Sequence, residues 1–354
     1  MIMDSEDTFD LVNFLKDAKK VDFPYNGKID YNNRYQNIKE YLDIHIHPII
    51  VSVAAKIDGG YLTDHGTDHI NMVIDRVSKL IDQSHMKLTP YEAYLLLVSI
   101  QLHDTGHLIN GRSKHEELSK EVIKNLGLLI GDETPEKTTI FRICDAHGGE
   151  DEKGQKKDKI GSLLPEDIIL NKKIRPQLLS ALLRFGDELA EDSTRANRYL
   201  LSENKILEGS EIFHAYASAL HSVNVDIKGK QVNLLYNIKK DYSINQLQKK
   251  DSTKFLLDEI FLRIYKMYIE SLYCMRYFPS ENKINTLFVK IDFIDDDTFQ
   301  SYFDTISIKL KENGYPKLHA CNIYEICPED LKYRDNGSIT GELVKRIIEN
   351  TQSS

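Results

Sequence analysis

A helical bundle domain followed by a smaller α+β C-terminal region, mainly α overall, is the fold class the sequence predicts. Three observations carry it. Apolar residues recur at i, i+3, i+4 spacing through Ile70, Val73, Ile74, Val77, Leu80 and Ile81. The stretch 94–102 is apolar almost all round, which suits a helix in the middle of a bundle. After about Ser202 the pattern changes to short alternating runs, 223–227 and 232–236, flanking Lys228-Gly229-Lys230.

Taken in order, residues 1–34 form a polar N-terminal extension, expected to be peripheral. A helix is predicted from 35 to about 56, with Ile38, Tyr41, Leu42, Ile49 and Ile50 on or near one face and Pro48 as a break or kink. Gly59-Gly60 marks a turn before the helix that starts at Ile70. Pro90 opens the next helix, at a position where its missing N–H costs nothing. Further helices are predicted over 114–126, ended by Gly127 as a C-cap, and over 138–146, stopped by Gly148-Gly149. Residues 150–159 read as a charged loop, and a helix over 176–191 carries Leu178, Leu179, Leu182 and Leu183. These elements make 35–202 a helical domain. In 203–354 the hairpin precedes a strong helix over 254–277, then a strand at 287–293, a helix at 298–311 and a strand at 319–326, a β-α-β arrangement in an α+β appendage.

The chain has 354 residues, enough for one large domain and a smaller one. Apolar residues make up 41% and charged residues 29%, which excludes a disordered chain. The net charge of −9 disfavours non-specific attraction to nucleic acid or to an anionic membrane. No apolar run approaches the ~18 residues of a membrane span, and the acidic start (Asp4, Glu6, Asp7, Asp10) is unlike a secretory signal. The four cysteines, Cys144, Cys274, Cys321 and Cys327, form no CxxC pair. A reduced, cytoplasmic protein is the expectation, with the oligomeric state left open and a homo-oligomer compatible with it.

The chemistry-bearing residues sit at the ends of apolar helices. His103 and Asp104 end the apolar helix, where an imidazole and a carboxylate are costly to bury unless something binds them. A divalent ion is the natural partner. Asp187 is a second carboxylate on a mostly apolar helix, and His69 precedes the stripe that starts at Ile70, with His65 as its competitor. Separate helices that each offer one ligand are how bundles assemble metal sites. His107 lies one turn beyond His103 and can face the same region. His45 and His47, two apart and hence on different faces, read as structural.

The order His69 … His103-Asp104 … Asp187 resembles the HD-domain metal-dependent phosphohydrolase superfamily, over roughly residues 35–200. That resemblance implies a helical core and an H…HD…D set that binds a divalent metal. Asp-His-Ile-Asn-Met-Val (68–73) stands where the family opens a helix with H-x-x-R-V, with Met72 in place of the Arg. His115 and His147 fall where two-metal, phosphodiesterase-like members place theirs, although those often have His-His where this chain has Ala146-His147. His103-Asp104-Thr105-Gly106-His107 is similar to the HD-x-G-H of deoxynucleoside triphosphohydrolases.

The resemblance implies a hydrolase acting on a nucleotide, first a (deoxy)nucleoside triphosphate, with one or two ions. The N/O ligand set suits Mn²⁺, Fe²⁺, Co²⁺, Ni²⁺ or Zn²⁺. Asp104 would be the shared ligand of two ions, and His107 would give a proton to the leaving oxygen or position phosphate. Arg184, Arg195 and Lys173 are candidates to hold phosphates; for the arginines the competing reading is a salt bridge to Glu188, Glu191 or Asp192. The lysines of 150–159 read either as a solvated surface or as a lid over phosphates. Two alternatives stay open: a phosphodiesterase or nuclease on cyclic or single-stranded oligonucleotides, and a nucleotide-sensing module whose HD site turns over slowly.

Overall fold

The computed structural model describes residues 9–51, 66–110, 115–148, 158–191, 210–249, 252–295, 298–311, 322–334 and 337–352. Contacts divide the chain into two units, one made of residues 1–58, 64–190 and 274–283, the other of 59–63, 191–273 and 284–354.

The first unit is helical. Helix α1 (Leu11–Lys16) is capped by the Asp10 side chain, which accepts from Asn13 N. Its Leu11 and Leu15, with Phe23 and Tyr31, are buried. Residues 9–34 are therefore not peripheral as expected: within a polar segment, apolar side chains one helical turn apart suffice to anchor it in the core. Helix α2 (Tyr31–His45) buries Tyr31, Tyr35, Ile38 and Leu42, a stripe at i, i+4, i+7, i+11. It begins one turn earlier than predicted because Asp30 caps it, and the helix breaks at Ile46, before Pro48. Residues 52–65, including the Gly59-Gly60 turn and His65, lie outside the described residues.

Helix α3 (Thr67–Leu80) buries His69, Ile70, Val73, Val77 and Leu80. Helix α4 (Pro90–Leu102) opens on a capping box between Thr89 and Glu92 and is buried from Tyr91 to Leu102, so it is the central helix of the unit. Each of its leucines contributes about 1.5–3 kcal/mol by leaving water. Helices α5 (His115–Asn125), α6 (Thr134–Asp145) and α7 (Pro176–Glu188) complete the bundle. A small hairpin, β1 (Asp167–Ile169) with β2 (Lys172–Ile174), precedes α7. Leu170 and Asn171 turn it with left-handed backbone. Among the described residues, no helix is long and apolar enough to cross a membrane.

The second unit opens with helix α8 (Glu211–Ala219) and the predicted hairpin, β3 (Leu220–Asp226) and β4 (Gln231–Asn237). A short helix α9 (Lys240–Ile244) and a second hairpin, β5 (Leu247–Lys249) with β6 (Ser252–Lys254), lead to the long helix α10 (Leu256–Cys274). Strands β7 (Thr286–Asp292) and β8 (Ile306–Lys311) complete a four-stranded sheet of order β3-β4-β7-β8, and helix α11 (Gly341–Gln352) closes the chain. In this sheet β4 and β7 run parallel, and the β3–β4 and β7–β8 pairs are antiparallel.

The expected β-α-β of 287–326 is corrected here. Where a helix was expected over 298–311, residues 306–311 form β8, antiparallel to β7. Ile306, Ile308 and Leu310 are buried and alternate with exposed Ser307, Lys309 and Lys311, a period of two that fits a half-buried strand. Phe299, Phe303, Ile306 and Leu310 also fit helical spacing, yet Phe299 is exposed. The expected strand at 319–326 is, in its described part, a single helical turn, Ile323–Ile326.

Candidate metal centre

Seven polar side chains from six segments of the first unit converge. His69 lies in the first turn of α3, and His103 caps the C-terminus of α4, followed at once by Asp104. His107 opens the single turn His107–Asn110, and His115 opens α5. His147 follows the C-cap of α6, and Asp187 lies in the last turn of α7. Glycines let these segments approach. A side chain at Gly106 would strike the His115 carbonyl, with Cβ only 1.8 Å from the oxygen, and one at Gly186 would lie 2.4 Å from Val77 of α3.

The ligand atoms form two groups that share Asp104. In the first, His69 Nε2 lies 3.1 Å from Asp187 Oδ1 and 3.5 Å from Asp104 Oδ2. His103 Nε2 lies 3.2 Å from the same Asp104 oxygen and 3.6 Å from Asp187 Oδ1. One ligand atom from each of His69, His103, Asp104 and Asp187 falls within 4.8 Å of all the others. In the second group, the other Asp104 oxygen, Oδ1, faces His115 Nε2 at 3.5 Å and His147 Nε2 at 3.7 Å. His107 Nε2 is 3.6 Å from that oxygen, and its ring stacks on His115 at 4.1 Å between centroids.

The imidazoles are set up to coordinate. His103 Nδ1 donates to Ile100 O at 2.8 Å, and His147 Nδ1 donates to Cys144 O, which turns both Nε2 lone pairs inward. His115 Nδ1 lies 3.2 Å from Glu116 Oε2, with the same result. Two observations point to a cation at this place. Buried His103 Nε2 makes no hydrogen bond. His115 Nε2 and His147 Nε2 stand 3.1 Å apart, lone pair to lone pair, an approach that needs positive charge between them. The donor set of imidazole nitrogen and carboxylate oxygen fits a divalent transition ion, so this buried His/Asp group can hold one.

Without an ion, protons supply the charge. Burial pushes the His103 pKa down, but the Asp104 and Asp187 carboxylates outweigh it and hold it well above the ordinary imidazole range. Burial pushes the Asp187 carboxyl up, and the facing His103 and His69 imidazoles bring it well below its ordinary value. His147 is pushed down to about 3 by burial and by the charge on His103 and His115, which leaves it the neutral ligand a metal requires. Because the folded-state pKa of His103 is raised, its contribution to stability is complete below its unfolded value of about 6.5 and is lost as pH rises through the folded value. Chelator-treated protein is therefore expected to melt at lower temperature as pH is raised above 7, while metal-loaded protein, in which an ion takes the proton's place, holds its melting temperature. Calorimetry with and without metal across that range checks this; a metal-free melting temperature that rises with pH would contradict it.

Glu116 and Lys159 join this constellation although the sequence did not single them out for it. Lys159 Nζ donates to Asp145 Oδ1 at 3.0 Å and lies 3.5 Å from Glu116 Oε1. It thus links the end of α6, which carries His147, to the carboxylate beside His115. Burial works against the Glu116 charge, and His115, His147 and Lys159 hold its carboxyl below the ordinary range. Of the proposed phosphate contacts, buried Arg184 donates Nη1–H to Gly148 O at 3.0 Å, next to His147. Lys173 lies on β2, where it pairs with Glu166 at 2.6 Å on the surface. Arg195, Arg198 and residues 149–157, with the lysines Lys153, Lys156 and Lys157, lie outside the described residues.

A family model described as HD-CE matches residues 59–264, more than half of the chain. No curated protein matches it.

Proposed function

The chain belongs to the HD-CE family, and from that premise we propose that its His/Asp centre hydrolyses a phosphoester of a nucleotide, first of all a (deoxy)nucleoside triphosphate. What supports the reading is the division of Asp104: one carboxylate oxygen faces His69 and His103, the other His115 and His147. His69, His103, Asp104 and Asp187 would hold one divalent ion, and Asp104, His115 and His147 a second. Such ions, when bound, acidify water and polarise a phosphoryl oxygen. The protein's share is to aim the imidazole Nε2 atoms inward, which the carbonyls of Ile100 and Cys144 do by taking the Nδ1 hydrogens of His103 and His147. His107 is buried, stacked on His115 and within reach of Asp104, a place from which it would deliver a proton to the leaving oxygen.

The triphosphate reading rests on His103-Asp104-Thr105-Gly106-His107. Incubation with each deoxy- and ribonucleoside triphosphate, over Mn²⁺, Fe²⁺, Co²⁺, Ni²⁺ and Zn²⁺, is expected to release inorganic triphosphate, resolved by anion exchange. His107→Ala is expected to slow turnover by on the order of 10²–10⁴ with metal content unchanged. The paired geometry around Asp104 also favours a second reading, a phosphodiesterase, since two-metal sites clamp both the attacking and the leaving oxygen of an in-line displacement. Cleavage of a short oligonucleotide with no triphosphate turnover selects that reading, and nucleotide binding without turnover selects a sensor.

A further inference from the structure

We infer that His47 is a positioning residue of the metal centre: it fixes the turn that presents His103 and Asp104 and ties that turn to the helix that presents His69. The inference rests on the metal reading above. His47 is not one of the proposed ligands and is buried, with 1% of its surface exposed. Its Nε2 lies 3.1 Å from Gln101 O, in the last turn of α4, and its Nδ1 lies 3.1 Å from Asp43 Oδ1. A carbonyl and a carboxylate both only accept, so a ring N–H of His47 donates to the partner it faces.

The two contacts fall at sensitive places. The last carbonyls of a helix have no donor of their own. Ile100 O takes the Nδ1 hydrogen of His103, at 2.8 Å. Thr105 N, which would continue the helical pattern to Gln101 O, donates instead to Leu102 O at 3.1 Å. Gln101 O instead faces His47 Nε2, at 3.1 Å. These three bonds together set the path of residues 100–105, from which His103 and Asp104 project. On the other side of His47, Asp43 Oδ1 also accepts from Thr67 Oγ1 at 3.2 Å. Thr67 is the first residue of α3, two before His69. Lys39 holds the second Asp43 oxygen at 2.5 Å, so the carboxylate is fixed from both sides. Gln101 O, His47, Asp43 and Thr67 thus form one chain of hydrogen bonds between the two helices that supply the first ion's imidazoles. A shift of either helix end changes the spacing of His69 and His103.

The test is a Co²⁺ titration of the chelator-stripped full chain, followed by the visible absorption of the bound ion. Thr67→Val removes the hydroxyl and keeps the shape; His47→Gln removes the two ring nitrogens that face Asp43 and Gln101. Each is expected to raise the Co²⁺ midpoint about tenfold, the lower end of what loss of an outer partner costs a metal site. The double variant is expected to match His47→Gln, since both break one chain, and Thr67→Ser, which keeps the hydroxyl, is expected to restore the wild-type midpoint. Circular dichroism of each variant fixes the helical content, and if His47→Gln fails to fold, the Thr67 pair decides alone. A Thr67→Val midpoint equal to that of wild type overturns the tie while leaving the metal reading intact. A wild type that takes up no Co²⁺ overturns the metal reading and the tie with it.

Discussion

Asp104→Ala is expected to abolish hydrolysis and to empty both ion positions together, with helical dichroism unchanged. Asp104 is the one residue common to the two groups, offering Oδ2 to His69 and His103 and Oδ1 to His115 and His147. Its loss removes an anionic ligand from each ion and leaves His103 with its Nε2 buried and unsupported. The effect should exceed the roughly 10–100-fold that removal of an outer-shell partner produces. The fold has no matching dependence on it. Asp104 follows the C-terminus of α4, whose apolar body from Tyr91 to Leu102 packs without it. Metal content and turnover of the purified variant check this, and an Asp104→Ala protein with full activity would overturn the metal-centre reading.

The largest effect expected on stability lies at the opposite end of α6. Glu136, in the first turn of that helix, has a fully buried side chain and accepts from Tyr91 at 2.7 Å, Tyr31 at 3.1 Å and Arg34 at 3.2 Å. Glu136→Ala strips one carboxylate from the buried hydroxyls of Tyr31, Tyr91 and Tyr94 and from a guanidinium, which makes it the deletion of one partner from a buried ionic network. Such deletions cost about 3–5 kcal/mol, whereas Glu136→Gln keeps part of the hydrogen bonding and is expected to cost less. Urea unfolding of the two variants measures the difference; a Glu136→Ala cost below about 1 kcal/mol would show that the network is not a support of the bundle. The position matters for function too, because the same helix delivers His147 at its other end.

What the sequence discloses about this protein follows the range of the interactions involved. Helices α3 and α4 are legible because their apolar spacing is local and strong, and the ligand order is legible because charged groups at the ends of apolar helices demand a partner. Strand β8 was not, since Phe299, Phe303, Ile306 and Leu310 satisfy one period and Ile306, Ile308 and Leu310 another; pairing with β7, far from any local rule, decides between them. The burial of Leu11 and Leu15 escapes notice because the apolar run Phe9, Leu11, Val12, Phe14, Leu15 is under two helical turns long, too short for its spacing to single out one face. In the metal centre, the residues that hold ligands from behind were invisible. Lys159 meets Asp145 and Glu116 across 14 and 43 positions of chain, and His47 meets Gln101 across 54. No spacing rule connects such pairs, and His47, seen beside His45, reads as an ordinary core histidine.

The most direct test of a paired-ion hydrolase is the number of ions per chain at saturating Mn²⁺ or Co²⁺, measured on wild type and on His147→Ala beside their turnover of nucleoside triphosphates. Two ions per chain are predicted for wild type, falling to one in His147→Ala, which loses a ligand of the second group while His69, His103, Asp104 and Asp187 stay in place. Turnover is predicted to fall with the second ion. A wild type that saturates at one ion would contradict the paired site, and one that binds none would contradict the metal-dependent mechanism altogether.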